Sequence, residues 1–336
     1  MRRLSRLPAA LLAVAVVAAG CGGGHVAAAL PSLPTGSAVT ALVEPDDGYD
    51  TLYGWLGAAR STLDLTMYEL VDDHAVAVLE ADAARGVRVR VLLDAQRERR
   101  ANLPAYLALR DHGVEVRWAS NRYAATHEKS FVVDGRALVV MSLNLTSRYY
   151  PTSRDVAVLT QSAADVAAAE QVFAADWAGR SVGTPPGADL VWSPRQSQAD
   201  LVALVDSAQS SVWLESEEYA ERDVLAAMIR AARRGVDVRV AMTYQKDWAK
   251  NWDALVDAGG HVSYFQGEHP LYIHAKIVVV DAGTPRLRVF AGSENLTNSS
   301  LNLNRELGIV LVGGPAAGRL SSTVASDLAA GRTWHP

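Results

Sequence analysis

Lysine is scarce in this chain. Four lysines stand against 28 arginines in 336 residues, and cysteine occurs once. A single cysteine excludes an internal disulfide, so stability has to come from a packed core. The formal net charge is −5 at pH 7, which argues against a dedicated nucleic-acid binder, since such proteins usually carry a basic excess. The apolar run at 7–19 is shorter than the ~20 residues that a transmembrane helix needs. No H-E-x-x-H, C-x-x-C, Walker or G-x-G-x-x-G pattern is present, so the common zinc and nucleotide signatures are missing. With 49% hydrophobic and 21% charged residues, the composition is globular, and the length suits two ordinary domains.

Arg2, Arg3 and Arg6 precede the 7–19 run, and Ala18-Ala19-Gly20-Cys21 closes it. This is the order of a signal peptide, expected over 1–20. The closing residues resemble a bacterial lipobox, with Ala18 where leucine is most frequent. The resemblance implies lipidation of Cys21, placing the protein outside the cytoplasm on a membrane, or secreted if the anchor is absent. Residues 21–37 are rich in Gly, Ala and Pro and read as a flexible tether. Loss of the three arginines leaves 29 basic residues against 37 acidic ones, near −8.

What the chain does contain is a repeat. Ala59-Arg60-Ser61-Thr62-Leu63-Asp64-Leu65 matches Ala208-Gln209-Ser210-Ser211-Val212-Trp213-Leu214, 149 positions later. Arg85-Gly86-Val87-Arg88-Val89-Arg90-Val91 matches Arg234-Gly235-Val236-Asp237-Val238-Arg239-Val240 at the same spacing. A duplicated unit is expected, with one lobe at 38–180, a linker at 181–194 and a second lobe at 195–336.

Each unit alternates strand and helix signals. In the first, strands are expected at 63–68, 87–93 and 114–118, and helices at 75–84 and 103–112, each helix stopped by a glycine. In the second, strands are expected at 212–216, 236–242 and 261–265, and helices at 224–234 and 252–258. Alternation of this kind specifies an α/β layer structure with a mixed, largely parallel sheet in each lobe. A hairpin follows, with strands at 129–133 and 137–141 around Asp134-Gly135.

The chemistry concentrates at that hairpin. His127-Glu128-Lys129, then Asp134, then Ser142-Leu143-Asn144, recurs as His274-Ala275-Lys276, Asp281 and Ser293-Glu294-Asn295. With eight histidines and four lysines, chance gives ~0.1 of one H-x-K in such a composition. Residues two apart on a strand share a face, so His127 and Lys129 are expected to point one way, as are Ser142 and Asn144. A compact ammonium serves as a point charge on a phosphoryl oxygen. Asp134 and Asp281 fit hairpin-turn positions. Asp155 and Glu306, which follow each Asn at equal spacing, can hold a histidine tautomer through Nδ1 and leave Nε2 free to attack.

These residues resemble the phospholipase D superfamily, whose signature is H-x-K-x4-D-x6-G-S-x-N. The likeness spans both halves. It implies two lobes related by a pseudo-twofold axis with one active site between them. It also implies a two-step phosphodiester cleavage needing neither metal nor cofactor: one histidine attacks phosphorus to form a phosphohistidine, while the other protonates the leaving alcohol. His127 and His274 become nucleophile and acid/base. Lys129, Lys276, Asn144 and Asn295 hold phosphoryl oxygens, supported by Ser142 and Ser293, and Asp155 and Glu306 orient the imidazoles. Met141 stands where the signature has glycine, and a side chain there is expected to crowd the turn and shift Ser142.

Three functions are compatible with this pattern. One is a phospholipid phosphodiesterase that hydrolyses or exchanges headgroups, a monomer working at the membrane. Another is an extracytoplasmic nuclease, which requires a basic groove. A third is a catalytically impaired envelope-binding protein. Tyr123, Tyr149 and Tyr150 flank the first motif, and Tyr244, Trp248, Trp252, Tyr264, Phe265 and Tyr272 precede the second. Aromatics so placed suit a bilayer interface, stacking on nucleic-acid bases or ordinary core and rim packing.

Overall fold

The computed structural model describes residues 32–34, 39–183 and 189–336. Cys21 and the expected signal segment 1–20 lie outside the described residues, as does most of the 21–37 tether. Among the described residues, no helix is long and apolar enough to cross a membrane.

Two mixed sheets carry the fold, and they repeat one another. In the first, the order is Thr40–Glu44, Ser153–Thr160, Ala137–Met141, Ser130–Val133, Thr62–Met67, Arg88–Leu93 and Glu115–Trp118. In the second, Leu190–Ser193, Glu306–Val312, Arg288–Gly292, Ile277–Val280, Ser211–Glu215, Asp237–Thr243 and His261–Phe265 take the equivalent places, and Arg332–Thr333 is added at the edge. The three strands at 62–67, 88–93 and 115–118 run parallel, and so do those at 211–215, 237–243 and 261–265. The hairpin strands join them antiparallel.

The apolar strands have both faces covered, which is why Ser130–Val133 and Ile277–Val280 read as unbroken buried runs rather than alternating ones. Helices Asp50–Leu56, Asp73–Ala84 and Arg99–Asp111 cover the outer face of the first sheet around Leu65, Val91 and Phe131. Helices Ser197–Asp206, Arg222–Arg233 and Ala249–Asp257 cover the second around Leu214, Val240 and Phe290. The inner faces share a core in which Val132, Val140 and Val158 join Ile277, Ala291 and Ile309, with helices Ala163–Trp177 and Gly314–Ala330 packed against it.

Local signals explain the helix ends. The Asp72 side chain accepts from the amides of His74 and Ala75, and the chain leaves that helix through Gly86 at φ +88°, a conformation that glycine adopts without strain. Glu221 accepts from the amide of Val224 in the same role. Two expectations need correction. The stretch 181–194 is not all linker, because Leu190–Ser193 is a buried strand paired with Glu306–Val312; its run of Leu, Val and Trp belongs in the core. The strand after the first motif begins at Ser130 rather than Lys129.

Candidate active site

The segments that carry the two histidines do not stay within their own halves. The amides of His127 and Glu128 both donate to the carbonyl of Arg305, and those of His274 and Ala275 both donate to the carbonyl of Arg154. Tyr272–Ile273 adds to the first sheet beside Ser153 and Arg154, and Thr126 bridges reciprocally to Arg305. The shared-face argument from strand geometry therefore does not apply to His127 and Lys129, which precede the strand in irregular backbone tied to the opposite half.

The exchange sets the histidine partners. His127 Nδ1 lies 2.7 Å from Glu306 Oε2, and His274 Nδ1 lies 2.7 Å from Asp155 Oδ1. Each imidazole thus meets the carboxylate of the other half. With a carboxylate at Nδ1, that nitrogen carries the proton and Nε2 is left for chemistry. Burial alone would raise both carboxyls, but the facing imidazoles and neighbouring lysines hold Asp155 and Glu306 below their ordinary values. Burial pushes His127 down, with help from the Lys129 charge and against the pull of Glu306.

The serines stand one step behind. Ser142 Oγ donates to Asp155 Oδ1 and Ser293 Oγ to Glu306 Oε2, each at 2.7 Å. Ser153 completes Asp155 at 2.6 Å, and Ser300 completes Glu306 at 2.7 Å. Met141 does not shift Ser142. The first half has Met141, Leu143 and Ala157 where the second has Gly292, Glu294 and Gly308, and the register holds, with Met141 opposite Ala157 and Gly292 opposite Gly308. A Cβ on Gly292 would lie 2.5 Å from both Glu294 Oε2 and Gly308 Cα. The glycines make room for the buried Glu294, whereas Met141 and Leu143 fill the same space with apolar side chains.

Lys129 and Lys276 are buried and donate to the backbone carbonyls of His127 and His274. Burial pushes the Lys129 ammonium down to about 7. Asn144 and Asn295 line the same cavity of about 490 Å³ as both histidines, and the side-chain carbonyl oxygen of each is buried without a partner among the described residues. Asp134 and Asp281 are not part of this cavity. Each sits at the far end of its four-residue strand and clamps the preceding turn, Asp134 accepting from Arg60, Ser61 and Thr62, and Asp281 from Gln209 and Ser210. Among the described residues, no group of three His, Cys, Asp or Glu side chains is placed to hold a metal ion.

Several residues of the site escape the motif. Tyr68 presents its ring 4.5 Å from the His127 ring and 4.9 Å from Lys129 Nζ. Glu217, 149 positions later, contacts Lys276 at 3.1 Å. Asn102 holds the Tyr68 loop by accepting from Leu70 N and donating to the Tyr68 carbonyl. Asp94 accepts from Thr126 N at 2.7 Å, and Thr243 from Ile273 N at 2.8 Å, each fixing the residue before a catalytic-motif histidine. Repeat spacing relates these positions in pairs, which is the one sequence signal that points to them. Tyr149, Tyr150 and Tyr272 line the cavity, whereas Tyr244 stacks on Trp334, and Trp252 and Tyr264 meet that ring edge-on, away from the cavity.

Two reciprocal His–carboxylate pairs, with paired lysines behind them, define a phospholipase D-like site. The family profile described as cardiolipin synthase, PLD-like domain, matches residues 52–177 and again 201–328, and the chain belongs to that family. It is a phospholipase D-like enzyme of the phosphodiesterase type. Among curated proteins it is similar to cardiolipin synthase A of Pseudomonas aeruginosa, at 28% identity over 89% of this chain and 68% of that protein. Among solved structures it resembles in fold the polyphosphate kinase of Porphyromonas gingivalis, at 15% identity, TM-score 0.69, and coverage of 87% of this chain and 47% of that one. It likewise resembles the phosphatidylserine synthase of Haemophilus influenzae, at 11% identity, TM-score 0.67, and coverage of 88% and 86%.

Proposed function

We propose that this chain transfers or hydrolyses phospholipid headgroups through a phosphohistidine intermediate. The reciprocal pairing of His127 with Glu306 and of His274 with Asp155 around one cavity is the observation that carries this reading. In the first step, Nε2 of one histidine attacks phosphorus as the P–O bond to the leaving alcohol breaks, and the other histidine gives that alcohol its Nε2 proton. In the second step, the now neutral histidine takes a proton from water or an incoming alcohol, whose oxygen displaces the first imidazole. The carboxylates stabilise each imidazolium as it forms. Lys129, Lys276, Asn144 and Asn295 hold the phosphoryl oxygens, where fixed charge is worth most because it needs no reorganisation.

The names of similar proteins, a cardiolipin synthase among them, support a phospholipid and an alcohol acceptor. The wall of the cavity supports the same reading over a nuclease. It carries Glu69, Glu217, Glu218 and Glu268, and among the described residues the lysines next to it, Lys129 and Lys276, are buried behind the wall and form no open basic groove. A polyanion needs the reverse. Membrane attachment through Cys21 belongs to this proposal and agrees with a lipid substrate. The test is incubation of the full chain with phosphatidylethanolamine and phosphatidylglycerol vesicles in EDTA, with and without added ethanol. Released headgroup and phosphatidylethanol are expected; their absence, with plasmid or single-stranded DNA cleaved instead, contradicts the proposal.

A further inference from the structure

The groups that the second half offers to a phosphoryl oxygen are already in contact with a carboxylate of the chain itself. Glu217 Oε2 lies 3.1 Å from Lys276 Nζ, 3.3 Å from Asn295 Nδ2 and 3.5 Å from His274 Nε2. Its other oxygen accepts from the Tyr272 hydroxyl at 2.9 Å. The equivalent position in the first half is Tyr68, which offers a ring face to Lys129 and no negative charge. The pseudo-symmetry of the site is broken here, in its charge, by one residue.

An anion so placed excludes another. A phosphoryl oxygen that reaches Lys276 and Asn295 has to displace Glu217, because two like charges cannot share one small site. Burial would raise this carboxyl, yet the Lys276 and His274 charges hold it well below the ordinary carboxylate range, so at rest it holds the subsite as an anion, and displacement takes it away from both charges. A half-buried carboxylate then needs a new cation. The cavity wall around it supplies Glu218, Glu268 and Glu69 instead, and Arg148, at the rim, already faces Glu69 at 3.4 Å. The side-chain carbonyl of Asn295, buried and without a partner among the described residues, adds an acceptor waiting for a donor. Ring faces at Tyr68 and Tyr272 suit an alkylammonium. The missing cation therefore has to arrive with the substrate.

We propose that Glu217 is a specificity-determining residue: it occupies the oxyanion subsite of the second half at rest, and yields it to a phosphodiester whose alcohol carries an ammonium group, with which the displaced carboxylate pairs. The ammonium clause rests on the phosphodiesterase reading above; the occupied subsite does not.

Two measurements on the full chain test it. Calorimetric titration with inorganic phosphate needs no turnover, and Glu217→Gln should bind phosphate at least about tenfold tighter than the parent, because a like charge has been removed. Tyr272→Phe, which frees Glu217 without removing it, should shift affinity the same way by less. Unchanged or weaker phosphate binding in both variants overturns the occupied subsite. In the second, kcat/KM is compared on phosphatidylethanolamine and phosphatidylglycerol vesicles. The parent should favour ethanolamine by about tenfold or more, and Glu217→Gln should lose most of that preference, as expected when a charge partner is removed. A parent that favours glycerol, or a preference that survives Glu217→Gln, overturns the ammonium clause. If no phosphodiester is turned over, including bis(p-nitrophenyl) phosphate, the phosphodiesterase reading fails and takes that clause with it, while the phosphate titration still decides the subsite.

Discussion

Nδ1 of His127 lies 2.7 Å from Oε2 of Glu306, a residue 179 positions further along the chain. The bond crosses between the two repeats, and its counterpart from His274 to Asp155 crosses back. Neither half can complete an imidazole–carboxylate pair alone, and this interdependence governs how the protein should respond to change.

Glu306→Gln keeps size and hydrogen bonding but removes the charge that stabilises an imidazolium at His127. Activity is expected to fall by ~10²-fold or more, mainly in kcat, because that charge matters most as the proton moves. Asp155→Asn should behave alike through His274. In a double-mutant cycle, His127→Ala with Glu306→Gln should be little worse than His127→Ala alone, whereas independent sites would multiply.

Arg154 bonds Asp327 in two places, at 2.6 and 3.0 Å, and also donates to the Glu44 carbonyl. Both partners of the ion pair are almost fully buried. Arg154→Ala leaves Asp327 charged and unpaired, so a loss of ~3–5 kcal/mol is expected in urea unfolding. Asp327→Asn should cost less, since it leaves the arginine other acceptors.

Glu44 is buried, with both carboxyl oxygens unpartnered among the described residues. Burial first, and the charge of Asp47 next, raise its carboxyl to about 7. The folded state therefore holds this proton where the unfolded chain has released it, and stability is lost as pH rises from about 4.5 through about 7. Glu44→Gln should raise the thermal midpoint at pH 8, with little effect at pH 4.5. An equal shift at both values would show that this titration is not the cause.

Gly308 lies beside Glu294 and Phe290. An added Cβ would lie 2.2 Å from a Phe290 ring carbon and 2.9 Å from Glu294 Oε2. Gly308→Ala is expected to destabilise by ~1–3 kcal/mol through overpacking. The first half has Ala157 at the same place, and there Val139, 151 positions before Phe290, puts a smaller side chain where the second half has the ring. Circular dichroism melts of Gly308→Ala and of Gly308→Ala with Phe290→Val would show whether the smaller side chain offsets the clash.

The repeat spacing made much of this structure readable in advance. The strand at 261–265 and the return strand at 137–141 match their expected bounds, because each short run follows a glycine that ends the preceding element. The paired motif residues were legible too, since H-x-K and S-x-N recur in a chain poor in lysine. Pairing across halves was not. Sequence places Glu306 after Asn295 but does not say which imidazole it meets, which depends on His127 and Glu128 binding the Arg305 carbonyl. Glu217 was invisible for another reason: a glutamate at a strand end reads as solvated until Lys276 and His274 are brought beside it. Asp134 and Asp281 belong to the motif yet serve the turns, because a four-residue strand carries them away from the cavity.

The proposed reaction turns on a phosphohistidine at His127 or His274. Acid-quench-free rapid trapping of the full chain with phospholipid labelled at phosphorus tests it most directly. The result predicted is a transient base-stable, acid-labile label on one histidine of the pair His127 and His274, absent when that histidine is alanine, and persisting when Glu306 or Asp155 is altered so that the second step slows. Turnover with no label on either histidine at any time would contradict it.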